Sequence, residues 1–187
     1  MDEIIPFAPA LVRQMAEASS DHARLVACSV AGVVSVRAAG TAPERVSRTL
    51  GVDSLPSPNA VVATSFGDCL WVRPDEWLLV GASTARQDML EALDAAVGRD
   101  EGAVIDVSAS RIILELSGPA SRDVLASCCP LDLHPRAFLQ GRCAQSVVGR
   151  VPVLLHLADD SPCWRIYVRP SLAAYVVAWL TDAMPTV

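Results

Sequence analysis

The sequence predicts an α+β fold in which antiparallel sheets are backed by helices. Three observations carry that expectation. Apolar residues make up 52% of the 187, enough for a sizeable core. Short runs rich in Val, Leu and Trp alternate with turn residues at hairpin spacing. Longer segments with apolar residues three and four apart punctuate those runs in β-α-β-β-α order. A parallel sheet would need strict β-α-β alternation instead.

Taken in order, residues 8–19 can form a short helix with Leu11, Val12 and Met15 on one side. Residues 25–36 are Val-rich and read as one strand. Residues 43–50 read as a helix, with Pro43 at its start and Gly51 at its end. Leu55-Pro56-Ser57-Pro58-Asn59 is an extended or turn segment. The runs 69–72 and 77–80 form a hairpin about the turn Arg73-Pro74-Asp75-Glu76. Ser83 or Thr84 can cap a helix that carries Met89, Leu90, Leu93, Ala96 and Val97 on one face and stops at Gly98. Strands follow at 103–107 and 111–116, then a helix over 119–127 closed by Pro130. Residues 131–141 are loop. Two short strands lie within 144–157, broken near 149–152, and another covers 164–168. A last amphipathic helix spans 170–183, with Leu172, Tyr175, Val176, Trp179 and Leu180 expected to face the core.

The expected domain organisation is an irregular segment, 1–60, packed on a single compact α+β unit, 61–187. A faint internal echo is compatible with two ferredoxin-like halves. Gly51-Val52-Asp53-Ser54-Leu55-Pro56 parallels Pro130-Leu131-Asp132-Leu133-His134-Pro135, and Val72-Arg73-Pro74 parallels Val168-Arg169-Pro170.

Composition excludes several classes. The formal net charge is -6, all 15 basic residues are Arg, and no basic stripe of the kind that holds nucleic acid is present. No apolar stretch reaches the roughly 20 residues of a spanning helix, so no membrane association is expected. The acidic, short Met1-Asp2-Glu3-Ile4-Ile5-Pro6 start lacks the basic and apolar regions of a secretory signal, which makes the cytoplasm the default compartment. Charged residues are only 19%, below the roughly 25% of soluble domains. With a membrane set aside, that points to a face hidden against a partner.

The chemistry-bearing residues are sparse. Cys28, Cys69, Cys128, Cys129, Cys143 and Cys163 show no C-x-x-C spacing, and they read as reduced apolar fillers with no metal site among them. His22 reads as solvated, His134 as packed on its own turn, and His156 as pointing to the less buried face of a strand. The pairs Asp75-Glu76 and Asp159-Asp160 sit at hairpin tips and read as solvated, although paired carboxylates in shelter would suit acid–base work. Asp106 interrupts an apolar strand, and its expected role is structural pinning by Ser108, Ser110 or Arg111. Trp71 and Trp77 suit packing or an interface better than ligand stacking. Gly81-Ala82-Ser83 is too short for a phosphate cradle, and no dinucleotide fingerprint occurs. No catalytic, cofactor-binding or metal residue is assigned.

Two stretches carry a resemblance. Val104-Ile105-Asp106-Val107-Ser108 with Leu114-Glu115-Leu116-Ser117-Gly118-Pro119-Ala120 resembles the "D-x-S … L-x-G-x-x-A" opening of glycine-cleavage T-protein-like folds. Cys129-Pro130-Leu131-Asp132-Leu133-His134-Pro135-Arg136-Ala137-Phe138 and Gly141-Arg142-Cys143-Ala144-Gln145-Ser146 resemble gamma subunits of heterotetrameric sarcosine oxidase. So do Arg73-Pro74-Asp75-Glu76-Trp77-Leu78-Leu79 and Tyr167-Val168-Arg169-Pro170-Ser171 with Trp179-Leu180, so that about two thirds of the chain is covered in order.

The resemblance implies a T-protein-like fold and a bacterial, non-catalytic subunit. It would assemble with alpha, beta and delta subunits that carry FAD, FMN, NAD and tetrahydrofolate. That complex would oxidatively demethylate sarcosine or a related N-methyl amino acid. The resemblance carries over no catalytic residue. The isolated chain would expose a large apolar face and self-associate. The alternative is a stand-alone folate-binding, T-protein-like protein of one-carbon metabolism, with Asp106 as its carboxylate.

Overall fold

The computed structural model describes residues 9–28 and 31–184 and divides the chain into two units. One comprises Met1–Ser29 with Ser110–Val187, the other Val30–Ala109. The expected boundary at residue 60 is therefore corrected. Residues 9–60 hold regular elements, the helix α1 (Pro9–Ala18), the strands β1 (Arg24–Ala27) and β2 (Ala31–Ala38) and the helix α2 (Ala42–Leu50). The single strand expected over 25–36 is two strands, one in each unit. A Val-rich run gives no signal for a change of sheet.

In the Val30–Ala109 unit, β2 and α2 are followed by β3 (Val61–Thr64), β4 (Gly67–Arg73), β5 (Glu76–Ala82), α3 (Arg86–Val97) and β6 (Gly102–Asp106). All ladders are antiparallel, in the order β3-β4-β5-β2-β6. Omitting the added β3, the path β2-α2-β4-β5-α3-β6 is that of a ferredoxin-like unit. Pro43 opens α2, and Gly51 ends it with φ 71°, a left-handed cap that glycine enters without a Cβ penalty. The expected Ser83 or Thr84 cap on α3 is not formed. Those residues make a 3-10 turn, and Ala85 stands at the cap position. One sheet face packs on both helices through Val34, Val36, Trp77 and Leu79 against Val46, Leu50, Met89 and Leu93.

In the other unit, α1 and β1 join β7 (Ile112–Ser117), α4 (Ser121–Cys128), β8 (Cys143–Val148), β9 (Val151–Asp159), β10 (Cys163–Val168) and α5 (Ala173–Asp182). The sheet is again antiparallel, ordered β1-β7-β10-β9-β8. Read from β8, it repeats the other sheet strand for strand, with α4 after β7 as α2 follows β2, and α5 after β10 as α3 follows β5. Only the edge strand differs in origin. β6 follows α3 along the chain, whereas β1 is supplied from before the other unit. Leu25, Leu114, Leu116, Leu155, Trp164 and Ile166 pack on Met15, Leu125, Val176 and Leu180 of the helices.

Two expectations for α5 fail. Tyr175 and Trp179 are 38% and 43% exposed, and the buried stripe is Ala173, Val176, Val177 and Leu180. The helix is apolar nearly all round, so spacing alone does not tell its inner from its outer face.

Candidate functional site

The strongest clustering of titratable groups lies on the sheet of the β7–β10 unit, on the face opposite its helix-packed core. Register sets Glu115 on β7 opposite Arg165 on β10, Arg165 opposite His156 on β9, and His156 opposite Cys143 on β8. Four chemically active side chains thus form one cross-strand row. His156 is only 3% exposed, which corrects its expected place on a less buried face. It does point away from the core side of β9, but that second face is buried too, as Leu154 and Tyr167 beside it show. Alternation cannot rank two buried faces.

Cys28 and Cys163 adjoin the row. The Cys28 thiol lies 4.0 Å from Glu115 Oε2. Burial, and then the Glu115 carboxylate, push both thiols up to about 11. Burial does the same to Cys128, with Cys129 as its next largest influence. Thiols held protonated are poor nucleophiles and poor metal ligands at neutral pH. Among the described residues no group of three or more His, Cys, Asp or Glu side chains is placed to hold a metal ion.

The other candidates lie apart. His22 is exposed. His134 Nδ1 accepts the Arg136 amide at 3.2 Å, and its carbonyl accepts Ala137 and Phe138, so it is tied into its own turn. Asp159 accepts Ser161 N and Oγ, both at 2.9 Å, in a solvated turn. Asp106 is pinned by Ser108, whose N and Oγ donate to Oδ1 at 2.9 and 2.6 Å. Those bonds hold its carboxyl below the ordinary value. The arginine beside it is Arg86, at 3.7 Å, and Asp106 sits exposed on an edge strand, not buried as the apolar run suggested.

Glu76 corrects a second expectation, since it is no solvated tip residue. Its side chain is 13% exposed, Ser35 Oγ donates to Oε1 at 2.8 Å, and Arg37 and Arg73 both pair with Oε2. Burial opposes its ionised form, but the bonds from Ser35 and Arg73 outweigh that and keep its pKa below normal. Trp77, its neighbour, is buried and donates Nε1–H to Pro56 O at 3.0 Å.

The loop 129–141 is held from beneath. The Arg122 guanidinium lies over Trp164, 5.0 Å from the ring centroid, and donates to the Leu133 and Phe138 carbonyls. Phe138 packs on Trp164 at 5.1 Å between centroids. Nothing in the sequence links Arg122 to a loop a dozen residues later.

Comparison with known proteins converges. The profile of the sarcosine oxidase, gamma subunit family matches residues 37–186. A sarcosine oxidase subunit gamma of Corynebacterium sp. (strain U-96) is 43% identical over 115 residues, 62% of this chain and 55% of the relative. One from Arthrobacter sp is 35% identical over 175 residues, 93% of this chain and 79% of that protein. The match thus spans little more than half the length of the first relative. Among solved structures, the heterotetrameric sarcosine oxidase from Corynebacterium sp. U-96, in complex with pyrrole 2-carboxylate, superposes with a TM-score of 0.86 at 34% identity, covering 96% of this chain and 93% of that one. The glycine cleavage system aminomethyltransferase T from Bartonella henselae matches with a TM-score of 0.69 at 17% identity, over 91% of this chain and 48% of the enzyme, and so shares the fold. The profile match over most of the sequence places the family beyond the resemblance: this chain belongs to the sarcosine oxidase, gamma subunit family.

Proposed function

We propose that the chain is the gamma subunit of a bacterial, cytoplasmic, heterotetrameric oxidase of the sarcosine oxidase type. It supports assembly and lends no reacting group of its own. The observation that carries this reading is the near-complete superposition on a chain of a heterotetrameric sarcosine oxidase. The internal chemistry supports it. The thiols that adjoin the row, Cys28 and Cys163, are held neutral, and the motif residues Glu76, Trp77, Leu133, His134 and Phe138 all serve turns and packing.

In this reading alpha, beta and delta subunits carry FAD, FMN, NAD and the tetrahydrofolate site. The complex demethylates sarcosine or a related N-methyl amino acid, and the isolated gamma chain self-associates. A stand-alone folate-binding role would rest on Asp106, and both of that residue's oxygens already have partners in Ser108 and Arg86.

The test is co-expression with the neighbouring genes and purification through a tag on this chain. A yellow complex that oxidises an N-methyl amino acid is expected. A colourless monomer that binds folate would refute the subunit reading.

A further inference from the structure

Helices α1 and α5 border an open groove of about 670 Å³, lined by Gln14, Glu17, Ala18, Trp179, Thr181 and Asp182. Its floor is fixed, because Gln14 Nε2 donates to Thr181 Oγ1 at 3.0 Å across the two helices. At its rim Trp179 pairs with Tyr175, with ring centroids 6.1 Å apart, and both rings are exposed. The rings are not loose. A Cβ added to Gly149, in the β8–β9 turn, would lie 2.9 Å from Trp179 Nε1 and 3.1 Å from Tyr175 Cε1, so bare backbone supports them from one side.

The charge of the groove is one-sided. Glu17 and Asp182 line it, and neither forms an ion pair among the described residues. Arg13 stands one turn before Glu17 on α1, yet no ion pair joins them. Residues 1–8 and 185–187 contain no Arg, Lys or His.

An exposed indole in a groove with two carboxylates that form no ion pair among the described residues is complementary to a guanidinium. The cation stacks on the ring face, its forked donors meet carboxylates, and its planar, weakly hydrated shape does both better than an ammonium. Exposed Trp and Tyr pairs are also the side chains that anchor protein interfaces.

We propose that this groove docks an arginine-bearing segment of another subunit of the oxidase, with the guanidinium on Trp179 between Glu17 and Asp182. The proposal rests on the subunit reading above and adds the face and the chemistry of the contact.

The test uses the co-expressed complex. Partner recovered per tagged chain is compared for the wild type, for Glu17→Gln with Asp182→Asn, and for Trp179→Ala. A reversal control, Glu44→Arg with Asp53→Arg, alters the other unit at exposed positions. The neutral pair and Trp179→Ala should each lower partner recovery on the order of tenfold, with circular dichroism unchanged. The wild-type complex should also weaken with salt more steeply than the neutral pair. Wild-type recovery by both groove variants overturns the docking site while leaving the subunit reading intact. Equal loss from the control overturns it as well, because bulk charge would then explain the effect. A wild-type chain that recovers no partner refutes the subunit reading itself, and the docking site with it.

Discussion

Replacing Glu76 by Ala should destabilise the Val30–Ala109 unit by about 2–3 kcal/mol, worked from its contacts. The Ser35 hydroxyl, 8% exposed, loses its acceptor, and an orphaned buried donor costs roughly 1–2 kcal/mol. Arg37 and Arg73 have side chains 51% and 55% exposed, so water screens them, and each pair contributes at most about 0.5–1 kcal/mol. Urea unfolding followed by far-UV circular dichroism measures the sum. The pH dependence gives a second reading. The folded-state pKa of Glu76 is lowered, so its contribution is complete above the unfolded carboxylate value of about 4.3 and is lost as pH falls through the folded value. The wild type should therefore lose stability on the acid side more steeply than Glu76→Ala. A cost below about 0.5 kcal/mol, or parallel acid limbs, would refute the account of Glu76 as a pinned, largely sheltered anchor.

Two further outcomes follow from the thiols and the glycines. Cys28, Cys128 and Cys163, raised to about 11, should alkylate far more slowly in the native chain at pH 8 than in urea. Glu115→Gln should speed labelling of Cys28 and Cys163 and leave Cys128 unchanged, as peptide mass mapping will show. Because the folded state keeps these protons, their contribution is intact below pH 9 and declines as pH rises toward 11. Gly118 and Gly51 form a matched pair. Both have positive φ, at +104° and +71°, but a Cβ on Gly118 would meet the His22 carbonyl oxygen at 2.6 Å while one on Gly51 meets nothing within 4 Å. Gly51→Ala should cost about 1 kcal/mol of backbone strain, and Gly118→Ala clearly more by thermal melts. Equal costs would sink the steric argument.

What the sequence revealed follows how local each feature is. The β4–β5 hairpin, α2 and α3 were legible, because a turn, a proline start or a glycine stop lies within a few residues of the pattern it ends. The partner of β1 was not. Leu25 pairs with Leu116, and nothing near residue 25 encodes that. The internal repeat was half legible. The stretches from Gly51 and from Pro130 occupy equivalent places, each after the helix that follows its unit's first core strand. Val72-Arg73-Pro74 and Val168-Arg169-Pro170 do not, since the former enters the β4–β5 turn and the latter leaves β10.

The family-like boxes show the same division by physical role. Trp77, Leu133, Phe138 and Tyr167 are buried, and packing accounts for them. Trp179 belongs to the same set of boxes but fills no core position, with 43% of its surface exposed beside two carboxylates. A large aromatic outside the core must be explained by what it can touch. That makes α5, rather than the Glu115–Arg165–His156–Cys143 row, the place to look for what this chain does to another.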